Sequence, residues 1–261
     1  GSSVSMNANG DRLAIGALGN DGNGLFAGHV RIYEWNGTAW IQLGADIDGE
    51  AADDGSGNSV SMNANGDRLA IGASYNAGTG LFAGHVRIYD WNGTAWTQLG
   101  ADIDGEADYD RSGSSVSMNA NGDRVAIGAT GNDGNGPNAG HVRIYDWNGT
   151  AWTQLGADID GEAAIDLSGS SVSMNANGDR LAIGALENGG NTNISFSNDG
   201  HVRIYKECAN SYGADSITAG GCYTWIDGIT YTSSVNTPTF TLTNAVGCDS
   251  VVTLDLTVNY S

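Results

Sequence analysis

The chain has 261 residues, 41 of them Gly, and sets 10 Lys and Arg against 30 Asp and Glu for a formal net charge of −20. So much glycine argues against a helical protein, and without a basic footprint neither nucleic acid nor basic-patch attachment to anionic lipid is an expected partner. No apolar run approaches the ~18 residues of a membrane helix, so membrane insertion is not expected, while 40% hydrophobic residues with 7 Trp are enough to build a core.

Self-similarity dominates the chain. SVSMNANGDR occurs four times, its Asp falling at Asp11, Asp67, Asp123 and Asp179, a period of 56 residues. GHVRIY recurs at His29, His85, His141 and His201, the last step being 60 because the preceding loop is four residues longer. WNGTAW and QLGADIDGE occur three times and are missing from the fourth copy.

Within one period, residues 3–7, 12–17, 29–35 and 38–47 read as short strands separated by turn signals. Asn9-Gly10 and Asn36-Gly37 accept the positive φ of tight hairpins, and the register expected from Asn36-Gly37 opposes Trp35 to Thr38 and Tyr33 to Trp40. Between the second and third strands lies a Gly- and Asn-rich loop whose sequence differs most between copies: 18–27, 74–83, 130–139 and 186–199. Four antiparallel strands per repeat, with no room for a helix, is the unit of a β-propeller blade. Strands such as HVRIYEW are apolar on both faces, which suits blades stacked face to face. A β-solenoid is the competing architecture, though its coils are usually shorter. The expected fold is therefore all-β: propeller blades over about 1–55, 56–111, 112–167 and 168–207, the last incomplete, followed by a separate module over 208–261.

From Cys208 the composition shifts to Thr, Ser, Val and Cys, with neither Lys nor Arg. Asp227-Gly228 signals a hairpin, and FTLTNAVGCDSVVTLDLTV gives two alternating strands around Gly247, together read as a small immunoglobulin-type β-sandwich.

The order GSSVSMNANGDRLAIGA, variable loop, GHVRIYEW resembles the FG-GAP repeat of integrin-type propellers, and is similar to the long near-identical repeats of large secreted surface proteins from Bacteroidetes. It departs from that pattern in having Leu18 after Gly16-Ala17 and a short stretch from Asn7 to Arg12. The tail, with CYTWIDG and GCDSVVTLDLTV, resembles an Ig-like repeat of the same class of proteins. By that resemblance Cys222 pairs with Cys248, Cys208 is left over, and the setting is extracellular at a bacterial cell surface. Opening on a repeat strand without a Met start, the sequence is expected to be a piece of a longer chain.

Three constellations are candidates for chemistry. Asp46, Asp48 and Glu50 recur as Asp102, Asp104 and Glu106 and as Asp158, Asp160 and Glu162, and carboxylates at this spacing beside Gly resemble the start of a calcium loop; a solvated, charged outer edge explains them as well. Asn7, Asn9 and Asp11 occupy the place of the FG-GAP metal loop, though a plain hairpin accounts for them. The aromatic sets Tyr33, Trp35 and Trp40, Tyr89, Trp91 and Trp96, and Tyr145, Trp147 and Trp152 each share a strand face, suited to stacking on sugars or, more simply, to packing between blades. The four His occupy equivalent positions around the repeats and are expected to make structural hydrogen bonds instead of converging on one zinc.

Catalysis needs a constellation of differing roles, and no nucleophile and base pair stands out, so an enzyme is not expected. The reading is a non-catalytic adhesin or structural surface and filament protein that displays variable loops to surface glycans, to neighbouring surface proteins, or to further copies or the rest of a longer chain. The alternatives are a lectin using the Trp and Tyr clusters and a calcium-dependent assembly module. No cofactor is required, with calcium the one admitted.

Overall fold

A computed structural model describes residues 1–189, 199–207, 211–243 and 249–259. Its contacts divide the chain into two compact units, 1–205 and 206–261, close to the boundary at Cys208 expected from composition.

The first unit is a run of repeated antiparallel sheets. The first repeat contains β1 (Ser3–Met6), β2 (Arg12–Ala17), β3 (His29–Trp35), β4 (Trp40–Gln42) and β5 (Ile47–Asp48). The second contains β6 (Ser59–Met62), β7 (Arg68–Ala73), β8 (His85–Trp91), β9 (Trp96–Gln98) and β10 (Ile103–Asp104). The third contains β11 (Ser112–Met118), β12 (Arg124–Ala129), β13 (His141–Trp147), β14 (Trp152–Gln154) and β15 (Ile159–Asp160). The fourth stops at three strands: β16 (Ser168–Met174), β17 (Arg180–Ala185) and β18 (His201–Lys206). Each complete sheet runs in chain order from its first strand to its third, whose outer edge holds the remaining two segments.

The expected fourth strand is thus broken. Both β4 and β5 pair with β3, and between them the chain turns at Gly44, φ +82°. The hairpin register also differs from expectation. Trp35 opposes Trp40 and Tyr33 opposes Gln42, because Gly37 and Thr38 form the centre of the turn while Asn36 Oδ1 accepts hydrogen bonds from Thr38 N and Oγ1 and Ala39 N. An Asn side chain that caps its own turn moves the turn centre one residue on; Tyr33, Trp35 and Trp40 still share a face. The first turn likewise is longer than Asn9-Gly10, and Asn7 Oδ1 accepts from Asp11 N and Arg12 N at 3.0 Å each.

Repeats stack through their inner strands, β1 beside β6, β6 beside β11 and β11 beside β16. The core lies between them. One face of the first repeat (Ala14, Val30, Ile32, Ile47) meets the opposite face of the second (Val60, Met62, Leu69, Ile71, Tyr89), and the same residues step on by 56 at the next interface. A third such layer joins repeats three and four. This is why the strands are apolar on both faces: each of the two middle sheets is a filling between two others. Backbones approach closely at Gly16, where a Cβ would lie 2.1 Å from the Gly57 carbonyl oxygen, so only Gly fits.

In the second unit β19 (Ser211–Gly220), β23 (Asp249–Asn259) and β22 (Thr239–Thr243) form one sheet, β19 parallel and β22 antiparallel to β23, while β20 (Tyr223–Thr224) and β21 (Thr230–Tyr231) form the Asp227-Gly228 hairpin. Trp225, Leu254, Leu256 and Val258 make its core, and Trp225 Nε1 donates to Asp215 Oδ2 at 2.8 Å. The parallel β19 was not legible in the sequence. Cys222 is exposed and, among the described residues, has no disulfide partner. Cys208 and Cys248, and with them the Cys222 to Cys248 pairing, lie outside the described residues, as does 190–198 of the fourth variable loop.

Candidate functional site

The differences between copies gather at one rim, where the loop between the second and third strands meets the linker into the next repeat. The two are laced together by the hydrogen bonds Asp53 N to Leu25 O, Gly55 N to Phe26 O and Ser56 N to Ala27 O, repeated in the next two copies. All eight non-glycine residues described with positive φ lie here: Phe26, Phe82 and Asn138 at one repeat position, Asp53, Tyr109 and Ile165 at a second, and Arg111 and Leu167 at a third. These same positions vary between copies, whereas SVSMNANGDR does not vary at all.

What holds the strained linker is a carboxylate that the sequence reading passed over. Asp54, Asp110 and Asp166 are 3%, 2% and 4% exposed. Asp110 Oδ2 accepts from Glu106 N and Ala107 N at 3.0 Å each, and its Oδ1 accepts from Asn132 Nδ2 of the next repeat at 3.2 Å. Asp54 does the same with Asn76, while Asp166 Oδ2 accepts both from Glu162 N and Ala163 N and from Asn188 Nδ2. The signal available was their constancy between neighbours that change, Asp53, Tyr109 and Ile165 before them and Gly55, Arg111 and Leu167 after.

Above this scaffold the rim is aromatic and open. Tyr75 and Phe82 meet edge to face with centroids 5.9 Å apart, and Phe82 and Tyr109 at 5.8 Å. Leu18, Phe26, Asp53, Gly55, Tyr75 and Phe82 line a pocket of about 400 Å³, and Phe26, Tyr75, Tyr109 and Ile165 are exposed. An open apolar pocket with a single carboxylate at its edge suits a ligand that offers a flat or aliphatic face.

The acidic turns are distributed by the fold. Asp46 and Asp48 group with His29, whereas Glu50 crosses the interface to group with His85 and Asp102, and Glu106 crosses to His141 and Asp158. Asp104 and Asp160 sit opposite His85 and His141 in their sheets. Arginines share the same carboxylates: Arg31 binds Asp46 through Nε and Nη2 at 2.9 to 3.0 Å, while Arg87, Arg143 and Arg203 lie 3.4, 3.3 and 3.6 Å from Glu50, Glu106 and Glu162. The Arg31 hydrogen bonds hold the Asp46 carboxyl below the usual range. Burial, with Arg87 and Arg143 adding to it, pushes His85 and His141 down, which keeps each imidazole neutral near pH 7. His141 is 1% exposed and, among the described residues, neither ring nitrogen has a hydrogen-bond partner; Nδ1 lies 3.8 Å from Asp158 Oδ2. A His and two carboxylates per repeat could hold a divalent ion, which would have to share them with an arginine. Asn7, Asn9 and Asp11 form no such group: Asn7 Nδ2 donates to Asp11 Oδ1 at 2.6 Å, closing the turn on itself.

The aromatic sets mostly serve packing. Trp91 and Trp96 lie against Gly44 of the preceding repeat, and Trp96 Nε1 donates to Leu43 O at 3.0 Å. Trp147 and Trp152 repeat this on Gly100 and Leu99 O. Tyr89 and Tyr145 belong to the core. Only in the first repeat are the rings open, Trp35 and Trp40 being 41% and 40% exposed, with Tyr33 half-buried.

No protein-family model and no curated protein matches this chain. Among solved structures it is similar to a protein described as a "putative 6-phosphogluconolactonase" from Bacteroides uniformis ATCC 8492, with 10% identity, a TM-score of 0.53, and coverage of 78% of this chain and 49% of that one. It also matches the hydrazine synthase of Kuenenia stuttgartiensis at 10% identity and a TM-score of 0.43, covering 70% of this chain and 41% of that one. The chain therefore spans less than half the length of either structure, and the first likeness concerns the fold alone.

Proposed function

We propose that this chain is a non-catalytic module of an extracellular bacterial surface protein, in which FG-GAP-like β-propeller blades hold a variable rim outward for adhesion or surface assembly, followed by an Ig-like module. The carrying observation is that the non-glycine backbone strain of the described residues, most of the variation between copies and an exposed aromatic cluster coincide at one rim of an otherwise copied scaffold. Strain in left-handed non-glycine residues costs on the order of 1–3 kcal/mol each and persists where the surroundings over-determine it, commonly at functional sites. Loops on a rigid support are where recognition concentrates, and repeated weak contacts add through avidity.

Catalysis is disfavoured because groups of one His and two carboxylates recur at three successive places in the repeats, with no unique set of differing roles. No cofactor belongs to the proposal, since arginines already face the acidic turns. A glycan ligand is the second reading, and its stacking platform is the rim Tyr75, Phe82 and Tyr109, because packing occupies the Trp pairs of repeats two and three.

The test is a screen of the purified chain against immobilised glycans and bacterial surface proteins, in parallel with lactone and ester hydrolysis. Binding that Tyr75→Ser weakens at least tenfold while Trp35→Ala leaves it unchanged is the expected result. Hydrolysis that His141→Gln abolishes would replace the proposal with an enzyme.

A further inference from the structure

The two ends of the repeat unit are the halves of an interface that the molecule forms three times within itself. On the first repeat Val4 and Met6 are 67% and 52% exposed, whereas their equivalents Val60, Met62, Val116 and Met118 are 7 to 9% exposed. On the fourth, Val202 and Ile204 are 66% and 78% exposed, against 0 to 1% for Val30, Val86, Ile32 and Ile88.

The polar groups match as well as the apolar ones. At interior interfaces Ser3, Ser59 and Ser115 Oγ donate to the carbonyls of Gly57, Gly113 and Gly169. Ser5, Ser61 and Ser117 Oγ accept from the N–H of Met62, Met118 and Met174. Ala8, Ala64 and Ala120 N donate to the carbonyls of Ala64, Ala120 and Ala176. Arg12, Arg68 and Arg124 Nη1 donate to the carbonyls of Gly66, Gly122 and Gly178.

By the same repeat positions the fourth repeat presents Ser171 and Ser173 Oγ, Ala176 N–H and Arg180, and the first presents Gly1 C=O, Met6 N–H, Ala8 C=O and Gly10 C=O. The fourth repeat has Lys206 at the motif position of Glu34, the residue paired with Arg12 in the first. The bare Cα of Gly184 has only its own Ser171 nearby, while Gly16, Gly72 and Gly128 each touch the next repeat's glycine carbonyl.

We propose that these faces join a second copy of this chain head to tail, the first repeat of one molecule docking on the fourth repeat of another. The fit covers the inner half of the interface. The outer latch, Trp40 onto a Leu carbonyl and Arg31 onto an Asp carbonyl, has no counterpart in the fourth repeat, which lacks QLGADIDGE. The contact is heterologous, so it propagates into rings or filaments. It uses residues away from the variable rim and stands or falls separately from the function proposed there.

The test is sedimentation velocity with light scattering on the full chain over a wide concentration range. Mass rising with concentration to twice that of one chain and beyond is expected. Met6→Lys and Ile204→Lys, both at exposed positions and checked for native circular dichroism, should each remain monomeric alone and form a one-to-one dimer when mixed, because each keeps one intact half. A wild-type chain that stays monomeric throughout, association that survives both substitutions, or two variants that do not pair would overturn the proposal.

Discussion

Ile88 and Ile204 occupy the same position of the same strand motif, HVRIY, but one is 1% exposed and the other 78%. Ile88 lies in a closed layer with Ala70, Val86, Val116, Val125, Ile127 and Tyr145. Truncating it to Ala removes buried methylenes and leaves a cavity, a change that costs about 2–5 kcal/mol. The same substitution at Ile204 removes atoms already in water and should stay within about 0.5 kcal/mol. Urea unfolding followed by Trp fluorescence is the assay, since six of the seven Trp are in the repeats. With a slope of about 2–3 kcal/mol/M, Ile88→Ala should lower the midpoint by on the order of 1 M with the slope unchanged, and Ile204→Ala by no more than about 0.2 M. The measurement belongs at low protein concentration, where a second copy does not cover the fourth repeat. Equal losses at the two sites would refute the argument, because they would mean that the fourth face is covered within a single chain.

Ile165, β-branched, 58% exposed and held at φ +69°, is strained; Ile165→Gly is expected to raise stability by about 1 kcal/mol in thermal unfolding, and a loss would show the side chain to be buried in a contact. His85 and His141 have folded-state pKa values below their unfolded ones; the unfolded chain therefore takes up protons first, and their contribution is present above about pH 6.5 and lost as pH falls through the folded values. The urea midpoint should drop over that window, and His141→Gln, which leaves Glu106, Asp110, Asp158 and Arg143 in place, should flatten the slope. Calcium in millimolar excess is expected to leave the melting temperature unchanged at matched ionic strength, because Arg31, Arg87 and Arg143 already face the acidic turns. A rise of the size that binding at 100 times the dissociation constant gives, about 2.7 kcal/mol per site, would make the assembly calcium-dependent instead.

Much of the fold is written in local sequence. The 56-residue period, the alternating strands and the Asn-Gly turns set the number and order of the sheets, since each depends on residues a few positions apart. The split of the outer strand at Gly44 recurs at Gly156, where no neighbour fills the space, so the left-handed glycine sets it locally; the sequence reading passed over it because the flanking residues read as one continuous strand. Grouping of Glu50 with His85, 35 positions apart, depends on how repeats stack and no local spacing reports it. The parallel partner of β23 was invisible for the same reason: pairing β19 with β23 spans most of the second unit. The rim was legible as variation between copies, but its left-handed backbone at Phe26, Tyr109 and Leu167 was not, because side chains of these types give no warning of positive φ.

The most direct measurement uses a variant that the protein itself suggests. The third repeat carries Pro137-Asn138 where the first two carry Leu25-Phe26 and Leu81-Phe82, and Asn suits φ +51° better than Phe suits +54° or +53°. Writing the third repeat's Asn into the first two (Phe26→Asn, Phe82→Asn) makes this rim position uniform, removes both rim Phe rings and leaves the Leu81 N–H on Asp108 Oδ1 in place. Its binding to whichever glycan or surface protein captures the wild-type chain, measured by surface plasmon resonance, should fall at least tenfold with no loss in melting temperature. Binding at wild-type strength by this folded variant would contradict the claim that the rim aromatics carry recognition.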